Sequence, residues 1–396
     1  MPHTTKIASI AELTEHLRLL QTEYTYEKES YLEKSKAGGI QRKIQQGFCW
    51  YPVRAERNYY NSLNLPVIEI VYNGEEEAEH FFEHGRPVCF FTFDLNRKQR
   101  YFTFTGTISY IRDNRMVVIL PQASFATTLQ QCTDLGIQLY FDETSYQSMF
   151  TALRETIAAK GNRLAELREI LSGAHPFRER KLPLLRFPWL NDQQEKAVNH
   201  VLRAQDIAIV HGPPGTGKTT TLVEAIYETL HKENQVLVCA QSNMAVDWIS
   251  EKLVDRGIHV LRIGNPTRVN DKMLSFTYER RFEAHPDYPE LWNIRKTIRE
   301  LSPKLRKRET REAVYSRLQH LRHRATELEI KIEQELFGEA RVIASTLVGS
   351  ANKILEGKRF STLFIDEAAQ ALEAACWIAI RKTDRVILAG DHCQLP

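Results

Sequence analysis

A chain of 396 residues with a formal net charge of +3 and 26% charged side chains has room for two or three domains, each with its own core. The composition is that of an ordinary globular protein, and so small a charge excess excludes nucleic-acid binding through an overall basic surface; a local one is needed. The six cysteines, Cys49, Cys89, Cys132, Cys239, Cys376 and Cys393, form no C-x-x-C pair, which argues against a zinc ribbon or a disulfide scaffold and suits a reducing cytosol. No uncharged apolar run approaches membrane-spanning length and the N-terminus lacks a signal-peptide core, so no membrane is expected.

Residues 7–47 read as polar helix, with Leu13, Leu17, Leu20 and Tyr24 at three- to four-residue spacing. The pattern changes around Gly38-Gly39. From Phe48 to Phe141 the chain reads as strands and turns. Val67–Tyr72, Pro87–Phe91 and Tyr101–Thr105 are rich in β-branched and aromatic residues. Thr107–Ile111 and Met116–Leu120 flank Asp113-Asn114-Arg115, which reads as a hairpin turn. A small β-barrel or compact sheet fits, a kind of fold that binds single strands or packs against a neighbour. Thr144 to Gln147 has the spacing of a capping box. Tyr146, Met149, Phe150, Leu153, Ile157, Leu164, Leu167 and Leu171 then form one apolar stripe, with a bend expected at Gly161. Pro176, Pro183 and Pro188 mark a linker.

From about Leu190, short apolar runs alternate with helical patterns. The runs are 207–210, Gln235–Ala240, Arg341–Ala344, Thr362–Ile365 and Arg385–Ala389. That alternation implies an α/β domain with a mostly parallel sheet. Residues 270–338 interrupt it with charged helical sequence, and Pro303 divides this stretch into two helices.

Residues 212–221 read GPPGTGKTTT and satisfy G-x-x-x-x-G-K-[ST] at Gly212, Gly217, Lys218 and Thr219. Glycines let the backbone wrap an anion and point its N–H groups at phosphate oxygens. Lys218 supplies charge toward the β- and γ-phosphates, and the Thr219 hydroxyl is placed to ligate magnesium. An apolar run at 207–210 precedes the loop, and Leu222, Val223, Ile226 and Leu230 recur at helical spacing after it. Strand, loop and helix are the context that the motif requires. The loop as a whole, Gly212, Pro213, Pro214, Gly215, Thr216, Gly217, Lys218, Thr219 and Thr220, is the expected nucleotide cradle.

Two further strand ends carry polar groups. Phe364-Ile365-Asp366-Glu367 ends an apolar run in adjacent carboxylates. Asp366 suits a magnesium ligand, direct or through water, and Glu367 a base for the attacking water. The competing reading is a solvated acidic pair opening a helix. Val386–Ala389 runs into Gly390-Asp391-His392-Cys393-Gln394, where Gln394 can reach the γ-phosphate or the water; a simple turn competes. Upstream, Gln194 of LNDQQ is a candidate reader of adenine through its two-way amide, against an exposed helix-start residue.

In their order, LNDQQ, GPPGTGKTTT, CAQSNMAVD (239–247), ASTLVG (344–349), IDEAAQ (365–370) and AGDHCQLP (389–396) resemble superfamily 1B helicases. The likeness is to the branch of the nonsense-mediated-decay and immunoglobulin-mu-binding-protein helicases. The resemblance implies a P-loop RecA-like parallel-sheet domain at 190–396 with an inserted helical subdomain at 270–338. It also implies an N-terminal helical segment at 1–47, a small β-barrel-like domain at 48–143, and a stalk helix and linker at 144–189. It assigns adenine to Gln194, phosphates and magnesium to the loop, and magnesium and base roles to Asp366 and Glu367. Coupling of nucleotide state to the strand falls to Gln394, with backbone contacts to single-stranded DNA or RNA at Ser242, Asn243 and Thr346. Short hydroxyl and amide groups can bond phosphate oxygens without reading bases, while helix capping is the alternative for these three.

The resemblance implies an ATP- and magnesium-dependent monomeric motor that moves 5′ to 3′ on single-stranded DNA or RNA, in the cytosol or, in a eukaryote, the nucleus. The chain stops just after the third helicase motif, so a fragment lacking the second motor domain, and nearly inactive by itself, is expected. Two readings compete: a P-loop ATPase that is not a helicase, and a nucleotide-dependent nucleic-acid-binding module.

Overall fold

The computed structural model describes residues 2–36, 39–74, 80–94, 98–264, 269–306 and 311–394. The architecture is mixed α/β, with one closed antiparallel barrel and one parallel sheet. The chain divides into two compact units. One comprises residues 26–142 and 279–336, the other residues 1–25, 143–278 and 337–396.

The first of these units holds the barrel. Its strands are β1 (Cys49–Tyr60), β2 (Pro66–Tyr72), β3 (Pro87–Phe93), β4 (Gln99–Arg112), β5 (Arg115–Ile119) and β6 (Leu135–Leu139). They close in the order β1-β2-β5-β4-β3-β6. Alternating side chains fill the interior, among them Ile68, Ile70, Phe90, Ile108, Met116, Val118 and Ile137. The expected hairpin is present. Arg112 pairs with Arg115, and Asp113 takes φ 51° in the turn, a conformation that aspartate tolerates better than most residues. Strands β1 and β6 and the helix Ser124–Gln130 lack a clear sequence signal. β1 carries charges and shifts register between Ala55 and Asn58. β6 contains Gly136, where a Cβ would lie 2.1 Å from the Phe91 ring.

The inserted helices, Tyr288–Leu301 and Arg311–Glu339, are separated by a short 3₁₀ turn that includes Pro303. They belong largely to the barrel's unit. The first of them grips the β1–β2 turn. Tyr288 Oη and Arg295 donate to the Ser62 carbonyl at 3.1 and 3.2 Å, and Arg299 lies 4.7 Å from the Tyr60 ring centroid.

The other unit is built on six parallel strands: β7 (Ile207–His211), β8 (Val236–Ala240), β9 (Val260–Arg262), β10 (Val342–Thr346), β11 (Phe360–Asp366) and β12 (Thr383–Gly390). Their order is β7-β12-β11-β8-β10-β9. Val210, Val238, Ala344, Phe364 and Ile387 are buried in its core, with Leu222 and Ile226 of the helix that follows the phosphate loop. Register aligns the C-terminal ends. His211 pairs with Gly390, Asp366 with Ala240 and Thr346 with Ala240. The polar residues that follow the strands therefore emerge along one edge, where open parallel sheets bind ligands.

The helices upstream differ from the sequence pattern at two places. The helix begins at Glu143, so Thr144 lies inside its first turn and not ahead of it. Gly161 does not bend a continuous helix. The first helix ends at Ala158 and a second, Arg163–Leu171, begins behind it. Gly161 adopts φ 62°, and the Asn162 side chain caps the second helix by accepting from Ala165 N at 3.0 Å. Buried Arg168 closes the break. It donates to the carbonyls of Thr156 and Ala159 at 2.6 and 3.1 Å, which lack partners at a helix end.

Candidate nucleotide-binding site

The strand β7 stops at His211, and the chain turns through Gly212–Gly217 into the helix Lys218–Leu230. Gly215 and Gly217 sit at φ 78° and 79°, in the left-handed region that penalises a side chain by about 1–2 kcal/mol. At Gly217 space is also short, since a Cβ would lie 2.5 Å from Gln194 Nε2. Thr216 Oγ1 donates to the Pro213 carbonyl at 2.7 Å, and Lys218 Nζ reaches the same carbonyl at 3.4 Å. The lysine is folded over its own loop at the positive end of a helix.

A cleft of about 1000 Å³ opens here, lined by Gln194, Gly212, Pro213, Gly215, Thr216, Gly217 and Lys218, together with Asn191, Ala197 and His211. Pro214 and Thr220 are exposed beside it, and Thr219 is half-buried. Gln194 has a double role that its sequence position did not reveal. It completes a capping box with Asn191. Its Oε1 accepts from Asn191 N at 3.1 Å, and its Nε2 donates to the Thr216 carbonyl at 3.1 Å. One N–H and one lone pair of the amide remain for a base edge.

Asp366 ends β11 and is 3% exposed. Burial pushes its carboxyl up to about 6, although the Glu367 N–H, Lys218 and the Thr219 hydroxyl pull it down. The Glu367 N–H donates to Asp366 Oδ1 at 3.0 Å. Glu367 itself adopts φ 51°, rare for a residue with a side chain. The end of β12 packs closely on this turn, since a Cβ at Gly390 would lie 3.0 Å from Ala369 N. A buried carboxylate with no arginine beside it among the described residues, next to a threonine hydroxyl and near Lys218, fits a hard oxygen-seeking cation. Asp366 and Thr219 are the residues that would hold magnesium.

Beyond Gly390, Gln394 Nε2 donates to Asp391 Oδ2 at 3.3 Å, and Asp391 Oδ1 lies 3.2 Å from His211 Nε2. This bond joins the end of β12 to the residue before the phosphate loop. His211 and Asp391 were not singled out from the sequence, though the position of His211 beside Gly212 was the available signal. Leu395 and Pro396 lie outside the described residues.

The candidate strand contacts look different. Ser242 Oγ caps the helix Asn243–Asp255 by accepting from Ala245 N at 3.1 Å. Asn243 Oδ1 accepts from Arg262 at 2.8 Å, and that fully buried arginine also pairs with Asp247 at 2.8 Å. Thr346 Oγ1 accepts from Gly349 N at 3.0 Å. All three stand at or just beyond the ends of β8 and β10, each with one acceptor already engaged in local structure.

A glycine-rich loop between a parallel strand and a helix, with a buried carboxylate ending a strand of the same sheet, defines a P-loop nucleotide-binding domain. Residues 189–396 match the family model described as "AAA domain". The chain is similar to the DNA polymerase alpha-associated DNA helicase A of Schizosaccharomyces pombe, 37% identical over 210 residues, covering 52% of this chain and 32% of that protein. An uncharacterized ATP-dependent helicase of Methanocaldococcus jannaschii is 31% identical over 303 residues, 66% of this chain and 45% of its own. The DNA-binding protein SMUBP-2 of Rattus norvegicus is 31% identical over 303 residues, 74% of this chain and 31% of its own. The chain belongs to this AAA-domain family, within the superfamily 1B helicase branch. It spans less than half the length of each of these relatives. Among the described residues no helix is long and apolar enough to cross a membrane.

Proposed function

We propose that this chain supplies the ATP site of a helicase or translocase that couples ATP hydrolysis to movement on single-stranded DNA or RNA. The observation that carries the reading is the single edge on which the phosphate loop, Asp366, Glu367 and Gln394 converge. In this reading Gly212–Thr220 cradle the phosphates, with Lys218 neutralising charge on the β- and γ-groups. Gln194 presents its remaining donor and acceptor to adenine. Thr219 and Asp366 hold magnesium, which when bound supplies charge stabilisation at the phosphates. Glu367 orients the attacking water and takes its proton. Gln394 follows the γ-phosphate and passes its state to Ser242, Asn243 and Thr346 on the strand side.

The same reading assigns 190–396 to a RecA-like motor domain with 270–338 inserted, 48–143 to a barrel domain, and 1–47 and 144–189 to helical stalk segments. It makes the protein a monomeric motor of the cytosol or nucleus. A fluorescent ATP analogue titrated into the protein with magnesium tests the site. Lys218→Ala should weaken binding by about 1.5–3 kcal/mol, roughly 10- to 150-fold, the worth of hydrogen bonds to a charged group. Unchanged affinity would remove the loop from the nucleotide site. Binding of a single-stranded oligonucleotide should weaken as salt rises, through counterion release; binding indifferent to salt would sink the strand assignment.

A further inference from the structure

Four metal-ligating side chains meet at one corner of the parallel sheet, and the proposed ATP mechanism gives a role to none of them. His211 ends β7, while Asp391, His392 and Cys393 follow Gly390 at the end of β12. Register pairs His211 with Gly390, so the two strand ends bring these groups together. One donor atom from each of the four lies within 4.8 Å of all the others. His211 Nε2 is 3.2 Å from Asp391 Oδ1, and Cys393 Sγ is 3.6 Å from His392 Nε2. The two imidazole rings stand 4.8 Å apart between centroids. Among the described residues no second group of three or more such side chains assembles in this way.

The chemistry of the donor set is specific. Two imidazoles, a thiolate and a carboxylate suit tetrahedral zinc-class ions, whose bond lengths place neighbouring ligand atoms roughly 3.3–3.8 Å apart. The two closest pairs already approach that spacing. The wider separations close by rotation of His392 and Cys393, both of which are exposed. Asp391 is held in place before any ion arrives. Its Oδ1 accepts from Cys393 N at 3.0 Å and its Oδ2 from Gln394 Nε2 at 3.3 Å. Such outer hydrogen bonds fix a ligand's direction. Sulfur and nitrogen donors disfavour magnesium, so this corner is chemically distinct from the Asp366–Thr219 pair.

We infer that His211, Asp391, His392 and Cys393 form a binding site for a zinc-class transition metal, which when filled ties the residue before the phosphate loop to the segment that carries Gln394. Neutral His211 binds the ion through Nε2 with its proton on Nδ1, the Asp391 carboxylate binds through an oxygen, and Cys393 releases its thiol proton to solvent. The site stands independently of whether the loop binds ATP.

Cobalt(II) titrated into the chelator-treated chain tests it, because tetrahedral cobalt and thiolate-to-cobalt charge transfer have distinct absorption bands. One ion per chain is expected, with both signatures, and zinc should displace it. Cys393→Ser should abolish the charge-transfer band, and His392→Asn should weaken zinc by roughly tenfold or more, at least the loss seen for outer-shell changes. Both side chains are exposed, and unchanged circular dichroism confirms that the variants fold. A pale octahedral spectrum, or a charge-transfer band that survives Cys393→Ser and so arises from another thiol, would overturn the site.

Discussion

The two ends of the parallel sheet treat charge in opposite ways. At the N-terminal end of β7, the fully buried Asp206 carboxylate meets Arg163 and Arg178 at 2.7 and 2.8 Å. Burial pushes this carboxyl up, but hydrogen bonds from Arg178 and Arg163 outweigh it and hold it at about 2. Nearby, buried Arg385 pairs with Glu233 at 2.8 Å and donates to Thr362 Oγ1 and to the carbonyls of Val201 and Ala204. At the C-terminal end Asp366 is buried too, yet among the described residues no arginine answers it and its carboxyl rises to about 6. One end is locked by its own cations. The other keeps a carboxylate in an unfavourable state, which is what a site reserved for an external cation requires.

Breaking the locked end should do the most damage to stability and the least to ligand binding. Arg385→Met leaves Glu233 without its cation and should cost about 3–5 kcal/mol in urea unfolding, as for other broken buried pairs. Nucleotide affinity should hardly change. A loss below about 1 kcal/mol would show that this end is not the lock described.

The open end should respond to pH in the reverse sense from an ordinary paired carboxylate. The folded-state value for Asp366, about 6, lies above its ordinary value of 3.8. Between those values the folded protein holds a proton that the unfolded chain has lost, so this group's contribution to stability falls as pH rises. Asp366→Asn escapes the penalty. Without magnesium it should match the parent near pH 4 and exceed it by up to about 3 kcal/mol at pH 7. Denaturant titrations across that range check the sign, and equal stability at pH 7 would mean that the carboxylate is already balanced.

Smaller effects separate shape from conformation within the loop. Gly215 and Gly217 share a left-handed backbone, but only Gly217 faces a neighbour, Gln194 Nε2. Gly215→Ala should show backbone strain alone, about 1–2 kcal/mol. Gly217→Ala should add displacement of Gln194 and a larger loss of nucleotide affinity. Equal losses would remove Gln194 from the account. Smallest of all, Ser242→Ala should cost about 1 kcal/mol by removing a helix cap, while Ser242→Gly costs a few tenths. If both variants lose the same affinity for a single strand, the hydroxyl touches the strand as well as the helix.

The open end was legible in the sequence because its chemistry is local. Gly212 to Thr219 and Phe364 to Glu367 carry spacing that anion and cation binding demand, and neither depends on distant partners. The locked end was not legible. Arg163, Arg178 and Asp206 meet from positions that the linear pattern does not connect, and Arg385 meets Glu233 across 152 residues. The same holds for Asn243, whose buried partner Arg262 lies on β9, a strand too short to announce itself. In the barrel, runs of β-branched and aromatic residues and a hairpin turn exposed β2, β3, β4 and β5. That signal is missing in β1, which carries charges and a bulge, and in β6, where Gly136 makes room for Phe91.

The most direct test of the open end compares the parent and Asp366→Asn by thermal unfolding at pH 7, first alone and then with magnesium and a non-hydrolysable ATP analogue. A crossing is expected: the variant melts higher alone, and the parent melts higher with magnesium nucleotide, because only the parent gains the cation's binding energy. The same order under both conditions would contradict the claim that Asp366 is kept free of an arginine partner for a metal-bound nucleotide.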